Sequence, residues 1–246
     1  MTSTISALFA RCACARFASV SNIYTDGAYL QKHPAWHVED SAWKALQVIK
    51  ILHRNRIVPE TIADIGCGAG EIIRRMSQAF PHAQCQGFDI SSQALQLARS
   101  REAKNLTFQL AAGTEVTGRF DVVLLLDVIE HVEDCFGFLR SFRGKAKYLI
   151  AHFPLDLSLL SLLLGTPMAS RRSDGHLHYF TKETAFALLS DTGYEIQDWF
   201  YPQAEHFWPR KGRTRLVALS RAAGAAVAPS LTSLILGGAS VMVLAH

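Results

Sequence analysis

The sequence lacks a cysteine framework and a long apolar run. Its five cysteines are an odd number and show no C-x-x-C spacing, which argues against disulfide frameworks and zinc sites and favours a reducing compartment. No apolar run reaches the ~20 residues that a membrane-spanning helix needs. We therefore expect a soluble, cytoplasmic protein.

The main part of the chain carries no excess of positive charge, because the basic excess is concentrated near the end of the sequence. The formal net charge is +4, yet five of the 25 basic residues and none of the 21 acidic residues follow position 206. We therefore expect no nucleic-acid partner. The basic tail adjoins an Ala- and Leu-rich stretch, which leaves peripheral contact with an anionic membrane open.

The first residues are also free of acid. Residues 1–25 contain Arg11, Arg16 and many small or hydroxyl side chains, a composition that resembles an organelle transit peptide. We favour a poorly ordered extension over residues 1–35. Without a repeat or a low-complexity linker, residues 36–246 are predicted to form one domain, with insertions at 154–179 and 202–239.

Apolar patterns typical of strands alternate with patterns typical of helices. This alternation predicts a Rossmann-like, doubly wound α/β fold whose ligands bind beyond the carboxyl ends of the strands. The predicted strands cover residues 61–65, 85–89, 106–111, 120–126, 147–153, 194–201 and 240–245. The predicted helices cover residues 41–55, 71–80 and 136–142 and the segments that follow Ser91 and Thr181.

The first strand runs into a loop with three alternating glycines, ADIGCGAGE at residues 63–71. A phosphate-binding loop would need a Lys that is missing here. In a dinucleotide loop, Glu71 would sit beside the pyrophosphate and repel it. The pattern acid-x-G-x-G-x-G remains, and it suits an adenosine that carries an amino-acid cation instead of a phosphate. Asp89 ends the second strand 19 residues after Gly70, where a carboxylate accepts ribose hydroxyls; its alternative role is a helix cap.

Together these segments resemble the class I S-adenosylmethionine-dependent methyltransferases, in particular the small-molecule branch that includes the ubiquinone-biosynthesis O-methyltransferases. The resemblance is carried by ADIGCGAGE, GFDIS, FDVVLLLDVIEHVED and GHLHYFTKETAFALLSDTGYE and covers about residues 36–201. It implies S-adenosyl-L-methionine as cofactor and a seven-stranded, mostly parallel sheet with an antiparallel last strand.

The resemblance also implies roles for the cofactor-binding residues. The three glycines would line the methionine and ribose part, Asp64 would orient the amino group, and Ile90 would pack on adenine. Lys44 would pair with the methionine carboxylate, unless it is a solvated helix residue. The full predicted set is Lys44, Asp64, Gly66, Cys67, Gly68, Gly70, Asp89, Ile90 and Asp127. At Ala112 the chain departs from the family, which usually has an acid there for the adenine amino group.

Asp127, Glu130 and His131 in DVIEH allow three interpretations. Asp127 and Glu130 form a capping-box pattern, which we favour. In ubiquinone-type relatives the matching acid-x-x-Glu-His set is associated with a divalent cation, which gives the second interpretation; we predict no metal here. The third is that His131 is a general base for methyl transfer to oxygen.

Further histidines are candidates for the same task. His176 and His178 point the same way if their segment is extended, and His152 follows the fifth strand's core. The alternative for each is an ordinary buried, hydrogen-bonded histidine. We assign His131, His176 and His178 as catalytic candidates.

These features predict a methyltransferase that acts on a small molecule, at oxygen in preference to nitrogen or carbon. The apolar segment PLDLSLLSLLLG in the 154–179 insertion suits a substrate cover for an apolar or aromatic acceptor. The alternatives are a cofactor-binding protein without turnover and a nicotinamide-dependent oxidoreductase. The oligomeric state stays open.

Overall fold

The computed structural model describes Tyr24, residues 27–34, Trp36, residues 38–202 and residues 213–246, without the side chains of residues 28 and 213–218. Most of the predicted extension and part of the basic tail, residues 203–212, therefore lie outside the described residues. Among the residues that are described, no helix is both long and apolar enough to cross a membrane.

One seven-stranded sheet organises the fold, in the order β3-β2-β1-β4-β5-β7-β6. All pairs are parallel except those of β7, which runs antiparallel to β5 and to β6. The predicted sheet and its antiparallel last strand are confirmed. The strands are β1 Thr61–Ile65, β2 Gln84–Asp89, β3 Leu106–Leu110, β4 Phe120–Leu126, β5 Ala146–Leu155, β6 Ile196–Phe200 and β7 Ala239–Ala245.

Helices cover both faces of the sheet, and the two helix starts that the sequence predicts at side-chain caps are observed. Ser91 accepts from the N–H of Ala94 and Thr181 from that of Thr184, as their sequence positions predict. The helices are α1 Ala28–Lys32, α2 Val38–Arg54, α3 Glu71–Ala79, α4 Ser92–Ala98, α5 Cys135–Arg140, α6 Leu159–Leu163, α7 Thr166–Ser173, α8 Lys182–Asp191, α9 Arg213–Val227 and α10 Pro229–Leu236.

The core lies on both sides of the central strands. In β4, Val123 and Leu125 join the cluster packed against α5 and α8, while Val122 and Leu124 join the cluster packed against α2 and α3. This two-sided burial explains why FDVVLLL is continuously apolar. The carboxyl ends of β1, β2, β4 and β5 meet at one edge, and the segments that follow them form the site.

Candidate active site

A cavity of about 900 Å³ opens at the carboxyl ends of these strands. One part is lined by the glycine loop, Asp89 and Ile90; the other by Asp127, His131, His152 and His176. The cavity is near the upper end of the range for small-molecule sites, so it has room for two ligands side by side.

The glycine loop is tied to the neighbouring strand by its backbone. The N–H groups of Gly66 and Cys67 donate to the carbonyl of Phe88 at 2.8 and 3.0 Å. Gly68 has φ +53°, and a Cβ there would stand 2.5 Å from the indole of Trp36. A side chain at Gly68 would therefore be strained and would intrude on the cavity wall.

Gly70 differs from the prediction, because it is not among the residues that line the cavity. A Cβ at Gly70 would meet the ring of Phe108 and the methyl group of Ala98, and the residue has φ +77° at the start of α3. Its glycine is required for close packing between helices and sheet, whereas Gly66 and Gly68 shape the cavity itself.

Asp89 is fixed by backbone donors on both oxygens. Its Oδ2 accepts from Gly68 and its Oδ1 from Ser91, each at 2.8 Å. Burial raises the pKa of Asp89, although these N–H groups oppose the rise. The side chain of Ser91, not that of Asp89, caps α4 at the N–H of Ala94, and Ile90 lies 46% exposed on the cavity wall.

Two other acids near the loop have opposite environments. Asp64 is buried beneath the loop and does not line the cavity, and its Oδ2 has no hydrogen-bond partner among the described residues. Burial and the nearby Asp89 raise the pKa of Asp64 to about 8. Glu71 instead bonds to Arg74 and Arg101, and these bonds lower its pKa to about 2.

Asp127 lies at the centre of a charged cluster. Its two oxygens contact Lys44 Nζ and His152 Nδ1, both at 2.5 Å. Burial alone would raise the pKa of Asp127, but His152 and Lys44 hold it well below its usual range. The residue also has φ +54°, which is uncommon outside glycine.

The favoured capping box at Asp127 and Glu130 is wrong. The segment Ile129–His131 is a short 3₁₀ turn whose cap residue is Val128, without a side-chain cap bond. Asp127 is occupied by Lys44 and His152, and both carboxyl oxygens of the buried Glu130 are without a hydrogen-bond partner among the described residues.

The divalent-cation set implied by the resemblance does not fit either, because the ammonium group of Lys44 occupies the oxygen that Asp127 would offer. Glu130, His131 and His176 do bring three donor atoms within 4.8 Å of one another. Burial, followed by the charge of Asp127, raises the pKa of Glu130 well above its usual range, which disfavours the ionised form that a cation would need.

The predicted histidines separate into two groups. His131 and His176 line the cavity in edge-on contact, with ring centroids 4.8 Å apart. His178 is not among the lining residues; its Nε2 lies 2.9 Å from the carbonyl of Val132. The expectation that His176 and His178 point the same way does not hold, because the segment is not a regular strand: the N–H groups of Leu177 and His178 both donate to the carbonyl of Glu130.

Sequence reasoning missed the contribution of Tyr24 and Tyr29, which precede the predicted domain of residues 36–246 and pack together with Trp36 at its first position. The hydroxyl group of Tyr24 lies 2.9 Å from His131 Nδ1 and donates to the carbonyl of Asp174 at 2.6 Å. Tyr24, Tyr29 and Trp36 line the cavity and pack ring against ring. The available signal was the run of aromatics at these positions, in a segment that otherwise reads as an extension.

Around position 112, where the family usually has an acid, the cavity is lined by small residues. Ala111 and Gly113 line it, whereas Ala112 does not, and the N–H of Ala112 is bonded to Glu115 at 3.1 Å. This chain therefore offers no acidic side chain at the position where the family usually has one.

Comparison with known proteins assigns this chain to a family. A protein-family model described as a methyltransferase domain matches residues 42–198 of the sequence. The chain belongs to this methyltransferase family. The resemblance to the S-adenosylmethionine-dependent methyltransferases that the sequence motifs indicated is confirmed, and with it the enzyme class and the cofactor of the family.

Individual relatives of this methyltransferase domain differ in their acceptors. The ubiquinone biosynthesis O-methyltransferase of Bordetella avium is 30% identical over 146 residues, which cover 52% of this chain and 59% of that protein. This chain thus spans only part of that relative's length.

Two solved structures share the fold at lower identity. One is the magnesium protoporphyrin IX methyltransferase of Synechocystis with bound S-adenosylhomocysteine (TM-score 0.60, 17% identity, 92% of this chain and 95% of that one). The other is the N-methyltransferase NodS of Bradyrhizobium japonicum, also with S-adenosylhomocysteine (TM-score 0.60, 13% identity, 91% and 97%).

Proposed function

We propose that this protein transfers the methyl group of S-adenosylmethionine to a hydroxyl group of a small-molecule acceptor. The observation that carries the proposal is the single cavity that joins the glycine loop and Asp89 to an end lined with histidines. A cofactor and an acceptor bound side by side in one cavity can be held in the orientation that direct transfer needs.

The cofactor would lie along the glycine loop. Asp89 would accept the ribose hydroxyls and Ile90 would pack on adenine, with Gly66, Cys67 and Gly68 beneath the methionine part. Lys44 lines the cavity and would face the methionine carboxylate while it also compensates the charge of Asp127. Asp64 would act from beneath the loop, because it does not reach the cavity.

Oxygen is favoured over nitrogen as the acceptor atom because several histidines line the acceptor end. A hydroxyl group must lose a proton during transfer, and neutral imidazole can take it, whereas a neutral amine needs no base in the transfer step. Burial and the nearby His176 lower the pKa of His131 to about 4, so its ring is uncharged at pH 7.

The test is turnover of methyl-labelled S-adenosylmethionine with a panel of phenols, catechols, carboxylic acids and amines. We expect label in a phenol or catechol product and stoichiometric S-adenosylhomocysteine. Label only in amines or carboxylates would overturn the choice of a hydroxyl acceptor. Tight cofactor binding without any product would favour the non-catalytic alternative.

The segment 157–173 follows the cavity-lining Pro154 and Asp156 but does not itself line the cavity, and it presents an apolar surface. On α6 and just after it, Leu159, Leu162, Leu163 and Leu164 are 57%, 57%, 76% and 71% exposed, and Leu231 and Leu234 on the neighbouring α10 are 56% and 51% exposed. Residues 157–173 carry two arginines and no acid. We infer that this surface rests on anionic membrane beside the cavity mouth.

Vesicle sedimentation tests this surface. The protein should bind vesicles that contain phosphatidylglycerol more strongly than pure phosphatidylcholine, and the double variant Leu163→Ser/Leu164→Ser should bind several-fold more weakly. Leu110→Ser is the matched control, because Leu110 is 61% exposed on the edge strand β3. Equal loss in the control, or no binding by the wild type, would refute the membrane surface without touching the methyl transfer proposal.

A further inference from the structure

His152 is placed beside Asp127 by the register of the sheet. In the parallel pair β4–β5, Leu126 lies opposite His152, so the residue after Leu126 reaches the imidazole. The backbone supports the same pairing, since the N–H of Asp127 points to the carbonyl of His152 at 3.4 Å. His152 lies within β5 and Asp127 directly follows β4, so the sheet fixes the position of this histidine more rigidly than a loop would.

The carboxylate of Asp127 orients the ring. His152 Nδ1 lies 2.5 Å from Asp127 Oδ1, while Lys44 holds the other oxygen and compensates its charge. Because an ionised carboxylate only accepts hydrogen bonds, Nδ1 carries a proton, and in the neutral imidazole Nε2 then carries the lone pair. The positive φ of Asp127 is the backbone strain that accompanies this placement.

The lone pair of His152 lacks a partner. The side chain is 4% exposed, its ring edge packs on Trp43, and Nε2 has no hydrogen-bond partner among the described residues although the residue lines the cavity. Buried polar atoms are nearly always bonded, so an orphaned acceptor on a cavity wall indicates a ligand donor.

The other cavity histidines lack this arrangement. His131 Nδ1 donates to the hydroxyl oxygen of Tyr24 at 2.9 Å, so no carboxylate orients this ring, and its pKa of about 4 makes it a weak base. His176 Nδ1 lies 2.8 Å from Asp156, but neither atom has a hydrogen bond of proper geometry in the described structure. The titratable groups that share this end of the cavity include Lys44, Asp127, Glu130, His131, Asp156 and His176, together with Tyr24 and Asp174.

We infer that His152 is the general base of the reaction and that Asp127 is its positioning residue. The inference rests on the proposed methyl transfer to oxygen. The acceptor oxygen forms a bond to the methyl carbon while the carbon–sulfur bond breaks and its electron pair stays on sulfur. The hydroxyl proton passes to His152 Nε2, and the resulting imidazolium is stabilised by Asp127 until the proton leaves to water.

The kinetic test uses His152→Asn, whose amide N–H can replace Nδ1–H toward Asp127 but which has no basic nitrogen. With catechol as probe acceptor, we expect kcat to fall at least ~100-fold while S-adenosylhomocysteine affinity changes less than about 3-fold. With 4-nitrocatechol, which ionises without a base, most of the loss should disappear. His82→Asn, on an exposed histidine, is the matched control.

Three outcomes would overturn the inference. The loss in His152→Asn could persist with 4-nitrocatechol, kcat could stay unchanged with catechol, or His131→Asn could show the acceptor-dependent loss instead. Asp127→Asn should lower kcat, because the imidazolium formed on His152 loses its counter-charge.

A measurement without acceptor separates this inference from the proposed function. Nitrogen-15 NMR of the complex with S-adenosylhomocysteine should show His152 as the Nδ1–H tautomer, and Asp127→Asn should disturb it. An Nε2–H tautomer would refute the inference. If the wild type methylates no hydroxyl acceptor, the proposed function fails, whereas the tautomer still reports on the Asp127–His152 pair.

Discussion

The carboxylate of Asp89 accepts a hydrogen bond from the backbone N–H of Gly68 at 2.8 Å. This bond joins the glycine loop after β1 to the end of β2, so the two motifs that were recognised separately in the sequence form one cradle. A substitution at either residue should therefore lower the affinity for the cofactor more than it lowers the stability of the fold.

Gly68→Val should weaken S-adenosylhomocysteine binding at least ~100-fold while the domain stays folded. The new side chain would collide with Trp36 and would have to hold φ +53°. Gly144→Val is the matched control, because it has φ +73° but no atom within 4 Å of its Cβ position. Calorimetry decides: equal affinities in the two variants would refute the cradle.

Asp64 should make the protein less stable as pH rises. Its folded pKa of about 8 lies above the unfolded value, so the folded state holds one proton more between about pH 4 and 8. The free energy of unfolding should fall by about 1.4 kcal/mol per pH unit in that window from this group alone. Denaturant unfolding at pH 5 and 7 should show a smaller fall in Asp64→Asn; the same slope in both proteins would contradict the prediction.

Tyr24→Phe should lower the free energy of unfolding by about 1–3 kcal/mol, because His131 Nδ1 and the carbonyl of Asp174 lose a buried partner. Tyr201→Phe removes an exposed bond to Ser230 and should change stability by less than about 0.5 kcal/mol. Urea denaturation followed by circular dichroism measures both. A neutral Tyr24→Phe would show that residues before 36 do not contribute to the site.

Leu244→Ala should cost about 2–5 kcal/mol of folding stability, since Leu244 is fully buried in β7 between β5 and β6. Leu234→Ala, at a half-exposed position on α10, is the control and should cost less than about 0.5 kcal/mol. Thermal unfolding measures both variants, and equal melting temperatures for Leu244→Ala and Leu234→Ala would argue against β7 as an integral strand of the sheet.

Turnover should survive treatment with a chelator, because Lys44 occupies the Asp127 oxygen that a cation would need. The assay is methyl transfer to catechol before and after chelator treatment. Lost activity that added magnesium restores would establish a metal requirement and would direct attention to Glu130, His131 and His176.

Much of the fold is readable in the sequence, because it depends on local signals. Continuous apolar runs such as residues 120–126 indicate buried parallel strands, Ser91 and Thr181 mark helix starts, and the loop after β1 identifies the cofactor. Each signal depends on residues within a few positions of one another, so no long-range contact is needed to interpret it.

The acceptor end of the site depends on contacts that no local pattern records. Asp127 and Glu130 match a capping box in spacing, yet the positive φ of Asp127 and its two distant partners, Lys44 and His152, prevent one. His178 turns away from the cavity and Tyr24 enters it, although the sequence gives the first the better motif.

The sequence by itself determined the family, the sheet and the cofactor loop, because hydrophobic periodicity and glycine positions are local properties of the chain. Only the tertiary structure decided which histidine has an oriented lone pair and which glycine faces the cavity. Those properties depend on the register of β4 against β5 and on the packing of Phe108 and Ala98 around Gly70, which join residues far apart in the sequence.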